Sequence, residues 1–238
     1  MSLTPRPAEL EFEGRLSWAV LASDYDGTLA NGGRVAPATL EALHQVRRSG
    51  RKLLLVTGRE LKELFDVFPP IGIFDRVVAE NGAVVYDPAT GTRRVLAHLP
   101  RKLADALRAR RVKPLSVGHV IVATAREHQD VVSRIIREQD LPLHIILNKR
   151  SLMVLPNGVN KASGLRDALN EMNLAPEDTV GVGDAENDED FLALCGYSAA
   201  VANALPKLKR KVDIVTSAGH GEGVVELVQH LLNGGPRP

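Results

Sequence analysis

Short apolar runs alternate with amphipathic stretches along most of the chain. Trp18-Ala19-Val20-Leu21-Ala22 carries no charged residue and has the pattern of a strand buried on both faces. Pro37 suits the first position of a helix, with Leu40, Leu43 and Val46 on one face and Gly50 past its end. Lys52–Val56 predicts a second buried strand, and a helix follows from about Glu60 to Val67, broken by Pro69-Pro70. Val77-Val78-Ala79 predicts a third strand. Strands alternating with helices in this way predict an α/β fold with a doubly wound parallel sheet.

The pattern changes near residue 83. Ala83–Tyr86 and Arg94–Ala97 flank Asp87-Pro88-Ala89-Thr90-Gly91 and predict a hairpin. A helix from Pro100, a strand over His119–Ala123, a helix over Glu127–Gln139, and strands over Leu143–Leu147 and Leu152–Leu155 follow. Hairpins mixed with helices predict a small antiparallel sheet with helices on one side. Residues 83–156 therefore read as an inserted α+β domain. Residues 17–82 and 157–238 read as one core, and residues 1–16 as a disordered leader. The parallel pattern resumes at Asn160-Lys161, which opens a helix with Leu165, Leu169 and Met172 inward. Strands at Thr179–Gly183, Ser198–Val201 and Val212–Val215 precede a closing helix marked by Val224, Leu227, Val228 and Leu231.

Composition narrows the function. The chain of 238 residues has a formal net charge of +1 and few aromatics, which gives neither a basic footprint nor stacking platforms for nucleic acid. No apolar run approaches membrane-spanning length. The single cysteine, Cys195, cannot pair within the chain; it fits a reducing cytoplasm and reads as a buried thiol.

The polar residues that matter stand at predicted strand ends and one helix start: Asp24/Asp26, Thr57/Gly58/Arg59, Lys161 and Asp184/Asn187/Asp188. Asp24 and Asp26, two residues apart, point to one face of an extended chain. Two like charges at the open end of a central strand are costly unless a divalent cation, or a phosphate bracketed by cations, satisfies them. Parallel strands bring their carboxyl ends to one edge, where ligands bind in open α/β sheets. Hard oxygen ligands favour Mg²⁺, while lysine and backbone N–H groups suit phosphate. The inventory fits phosphoryl transfer with a carboxylate as nucleophile.

In these residues the chain resembles the haloacid dehalogenase (HAD) superfamily. All four of its motifs occur in order: Asp24-Tyr25-Asp26-Gly27-Thr28-Leu29, Thr57-Gly58-Arg59, Lys161, and Gly183-Asp184-Ala185-Glu186-Asn187-Asp188. The insert between the second and third motifs is similar to the C2 cap of subfamily IIB, the Cof-type phosphatases. Glu80-Asn81-Gly82-Ala83 enters the cap, Gly158-Val159-Asn160-Lys161 leaves it, and Ala202-Asn203-Ala204 follows the fourth motif.

The resemblance implies a Rossmann-like core with an inserted cap, and a Mg²⁺-dependent phosphatase of small phosphorylated metabolites such as phosphosugars or phosphoglycolate. It implies Asp24 as nucleophile, Asp26 as acid and base, and Thr57 and Gly58 on phosphate oxygens. It implies Lys161 as charge neutraliser and Asn187 as phosphate donor. Metal ligation would come from Asp24, the Asp26 carbonyl, Asp184 and Asp188. Arg59 would contact substrate or pin the loop through a carboxylate, and Glu186 would be solvated. The cap would choose the substrate through residues such as His119, His144, Asn148, Lys149 or Arg150, hinging at Glu80–Ala83 and Leu155–Val159. A monomer or homodimer is expected. A phosphomutase and a non-catalytic phospho-ligand sensor are the alternatives; the retained Asp26 favours hydrolysis.

Overall fold

The structure is a computed structural model and describes residues 18–234. The expected leader and the last residues lie outside that range. Six parallel strands run side by side in the order Ile214–Val215, Tyr197–Ala200, Thr179–Gly183, Val20–Ser23, Lys52–Val56 and Arg76–Ala79. Successive side chains leave a strand on opposite faces. Leu21, Leu53, Leu55, Val77 and Val180 therefore enter one core with Leu43, Val46, Leu64, Val224 and Leu227 of the helices Pro37–Arg48, Leu61–Val67 and His220–Leu232. Val20, Ala22, Leu54, Val56 and Val78 enter the other with Leu165, Leu169, Phe191 and Leu192 of the helices Lys161–Glu171 and Glu189–Leu194. Helices on both faces explain why these strands read as continuous apolar runs.

The hairpin expected to open the insert instead completes this sheet. Val84–Asp87 pairs antiparallel with Arg76–Ala79, and Thr92–Val95 forms the edge. The physical reason is burial: Val84 packs into one core layer and Val85 into the other. The edge strand is guarded by charge, and Arg94 pairs with Asp167 and Glu171 of a core helix.

The insert forms a separate four-stranded antiparallel sheet in the order Leu143–Asn148, Ser151–Pro156, Val122–Ala125 and Leu115–Val117. The helices Arg101–Ala109 and Gln129–Glu138 cover one face through Leu103, Leu107, Val132 and Ile135. On the other face Met153 and Leu155 pack with Val120, Ile121 and Ala83. The strand expected over His119–Ala123 begins at Val122, and Leu115–Val117 is an additional strand. Between them the backbone N–H groups of His119, Val120 and Ile121 all donate to the buried Glu80 carboxylate, so that stretch wraps a side chain instead of joining the ladder.

Candidate active site

The carboxyl ends of the parallel strands deliver the polar residues to one edge, as the topology requires. Asp24 follows Val20–Ser23, Thr57 follows Lys52–Val56, Glu80 follows Arg76–Ala79, and Asp184 follows Thr179–Gly183. Lys161 arrives from below as the first residue of its helix. Asn160 caps that helix, accepting from the Ser163 N–H at 2.9 Å while Ser163 Oγ accepts from the Asn160 N–H at 3.0 Å.

Lys161 is the centre of the site. Its buried Nζ donates to Asp24 Oδ1 at 2.5 Å and to Asp188 Oδ1 at 2.6 Å. Burial opposes its charge, but the two carboxylates outweigh that and hold the ammonium above the ordinary lysine range. Asp188 is pinned on its other oxygen by the backbone N–H groups of Asp184 and Ala185, at 2.8 and 2.9 Å. Burial, then repulsion from Asp188 and Asp184, pushes Asp24 up to about 8 against the pull of Lys161. Asp184 is likewise raised by burial, with Asp188 adding to it and a hydrogen bond from Lys149 opposing it. One Asp184 oxygen, Oδ1, is buried without a hydrogen-bond partner.

Asp26 stands apart from this cluster. Its carboxylate accepts from Arg59 Nε at 2.6 Å and Nη2 at 2.7 Å, so Arg59 pins the loop in the way a carboxylate pair allows. Thr57 is buried and its Oγ1 accepts from the Arg59 N–H. Gly58 lies against Asn81, whose Oδ1 would sit 3.3 Å from an added Cβ. The Asn187 amide is oriented by Asn81, donating to its Oδ1 at 3.0 Å, and Asn187 Oδ1 has no partner. Asn203 Nδ2 donates to the Gly27 carbonyl at 2.8 Å, tying the first loop to the segment after the fourth motif.

Gly27 itself is obligatory. Its φ is +86°, and a Cβ there would lie 2.3 Å from Asp184 Oδ2.

A turn of the insert reaches this site. Lys149, at the tip between Leu143–Asn148 and Ser151–Pro156, donates from Nζ to Asp184 Oδ2 at 2.5 Å. Its backbone N–H donates to Glu186 Oε2, and Arg126 of the insert bridges Glu186 Oε1 and the Lys149 carbonyl. Glu186, expected to be solvated, therefore fastens the turn to the core. Glu80 does the same at the other end of the insert. Both carboxylates belong to the quoted motif stretches, but their partners are backbone groups that spacing cannot reveal.

The comparisons with known proteins agree with this geometry. The model of the haloacid dehalogenase-like hydrolase family matches residues 21–109 and 116–228. The phosphoglycolate phosphatase of Methanothermobacter thermautotrophicus is 31% identical over 218 residues, covering 89% of this chain and 98% of that relative. That of Haloarcula marismortui is 32% identical over 221 residues, covering 87% and 95%. A haloacid dehalogenase-like hydrolase from Bacteroides thetaiotaomicron superposes with a TM-score of 0.78 at 17% identity, over 90% of this chain and 99% of that one.

The chain belongs to the haloacid dehalogenase-like hydrolases.

The resemblance read from the four motifs is thereby borne out, and with it the fold class and the assignment as a phosphatase enzyme. Members of this family use a divalent metal, and the residues here fit one. Asp24, Asp184 and Asp188 each bring an oxygen within 4.8 Å of the others, all buried. Asp184 offers the most, since Oδ1 is unpartnered and Oδ2 is held only by donors that can move away. Both Asp188 oxygens are already engaged, which suits a positioning role beside the ion. The Asp26 carboxylate is turned to Arg59 and is not part of this acidic group. Among the described residues no helix is long and apolar enough to cross a membrane.

Proposed function

We propose that this phosphatase is a Mg²⁺-dependent phosphomonoester hydrolase that works through an aspartyl phosphate on Asp24, with phosphoglycolate or a small phosphosugar as substrate. The observation that carries the reading is the buried Lys161 ammonium bridging Asp24 and Asp188 at the end of the central strand. This arrangement holds a carboxylate in place and leaves a positive charge where phosphate oxygens gather. The two archaeal relatives named for phosphoglycolate support the substrate class.

In this reading an Asp24 oxygen attacks phosphorus as the bond to the leaving alcohol breaks, and Asp26 gives its proton to that alcohol. Water then attacks the aspartyl phosphate while Asp26 takes back a proton. Phosphate leaves and Asp24 is restored. Each transfer requires Asp26 to share or give up its contacts with Arg59. Thr57 Oγ1, the Gly58 N–H and Asn187 bind the phosphate oxygens, and Asn81 keeps Asn187 facing the site. A bound Mg²⁺, held by Asp24 and Asp184, would neutralise charge on nucleophile and phosphate. The single cysteine supports a cytoplasmic enzyme.

The test is phosphate release from a panel of phosphorylated acids and sugars with Mg²⁺, repeated with Asp24→Asn and with chelator. Release from one or a few compounds, abolished by both controls, is expected. Release that survives Asp24→Asn removes the nucleophile assignment. A phosphoenzyme that accumulates and passes its phosphoryl group to a sugar would make the protein a mutase.

A further inference from the structure

Five polar residues of the insert, His119, His144, Asn148, Lys149 and Arg150, are candidate readers of the substrate. The structure separates them. His119 is taken by Glu80 and Arg93 at the far corner of the junction. Of the five, Lys149 is the one that bonds to the carboxylate cluster, at 2.5 Å from Asp184 Oδ2. Its position is built rather than incidental. The residue has φ +52°, and its N–H and carbonyl are both fastened by the Glu186–Arg126 pair. The Lys149 backbone is thus anchored beside the site while its side chain remains 42% exposed.

A cation taken up by the free Asp184 Oδ1 would compete with the Lys149 ammonium on Oδ2 for the charge of one carboxylate. A divalent ion that drew Asp184 away would leave Lys149 without this partner. Lys149 would then present an unpaired ammonium on the insert side of the site. The phosphate has its own donors on the core side, in Lys161, Thr57, Gly58 and Asn187. A substrate bound to those donors would turn the portion beyond phosphorus toward Lys149.

We propose that Lys149 is the specificity residue of the insert: it holds Asp184 in the metal-free protein, gives it up to the metal, and then pairs with a carboxylate of the substrate close to the phosphate. The reach of one lysine side chain from an anchored turn limits that carboxylate to a few bonds from phosphorus. The inference rests on the phosphatase reading and selects phosphorylated small acids over phosphosugars.

The test compares two esters that differ only at the group in question, 2-phosphoglycolate and 2-hydroxyethyl phosphate, in wild type, Lys149→Met and Lys149→Arg. One charge-assisted hydrogen bond corresponds to roughly 10- to 100-fold in binding. Lys149→Met is expected to lower the ratio of kcat/KM for the acid over the alcohol by about that factor, mainly through KM, and Lys149→Arg to restore part of it. Calorimetric titration of the substrate-free protein with Mg²⁺ gives a readout independent of turnover. Removing the competing ammonium should tighten Mg²⁺ binding about two- to fivefold, the worth of a half-exposed ion pair. Equal losses on both esters, or Mg²⁺ affinity unchanged in Lys149→Met, overturn the proposal. Wild type that cleaves the alcohol as well as the acid overturns it while leaving the phosphatase reading intact. Wild type that cleaves neither ester nor any compound of the wider panel overturns both.

Discussion

Asp24 illustrates how a single residue stores function at the expense of stability. Burial and the neighbouring Asp188 and Asp184 push its carboxyl up to about 8, whereas an unfolded aspartate titrates near 4. Between about pH 4 and pH 8 the unfolded chain has released a proton that the folded one retains, so this group's contribution to metal-free stability falls as pH rises across that window. Asn at position 24 keeps the shape and removes the titration. In chelator, Asp24→Asn should unfold at a higher temperature than wild type at pH 8, with the difference closing toward pH 4, by differential scanning calorimetry. An equal difference at both pH values would show that the cost is not electrostatic. Cys195 is the opposite case. Its sulfur packs beside Gly181 and donates to the Phe191 carbonyl, and burial pushes the thiol up to about 12. It should resist thiol reagents at pH 8 in the native protein and react at once in denaturant.

At the scale of elements, the helix that carries Lys161 depends on its first turn. Asn160 and Ser163 satisfy each other's backbone N–H groups there. Asn160→Ala should lower stability by about 1 kcal/mol in chemical denaturation. The larger effect should fall on turnover, because the cap orients the ammonium that bridges Asp24 and Asp188. This helix start was legible in the sequence, as were the six parallel strands, since runs such as Leu53–Val56 are apolar on both faces. The motif residues were legible because loops at strand ends must carry their chemistry at fixed positions. The fate of the Val84–Asp87 hairpin was not, because alternation and turn residues predict a hairpin without saying which sheet it joins. Neither was the Leu115–Val117 strand, which is mostly exposed and short, nor which of its two expected roles Arg59 takes, settled here by its pairing with Asp26. Those depend on tertiary partners, which local pattern does not contain.

At the scale of the whole molecule, two sheets are joined by few connections, and a buried carboxylate organises one of them. The entering and leaving segments press together at Gly82, where φ is +100° and a Cβ would lie 1.9 Å from the Asn160 carbonyl oxygen. One residue earlier in the junction than Asn81, Glu80 is 1% exposed and accepts the N–H groups of His119, Val120 and Ile121 at 2.8–3.2 Å. Removing the acceptor leaves three donors to find water in a packed junction, a cost of roughly 1–3 kcal/mol for each group that stays buried. The junction can open to relieve that cost while the core sheet stays closed, because its own ladder does not include these amides. Glu80→Ala is therefore expected to lose hydrogen-exchange protection at residues 119–121 and in the adjoining Val122–Ala125 strand. Val20–Ser23 and Lys52–Val56 should remain as slow as in wild type. Glu80→Gln keeps a side-chain oxygen in place and should retain much of the protection. A uniform loss across both sheets would show instead that Glu80 supports global stability, and that the insert and the core open as one unit.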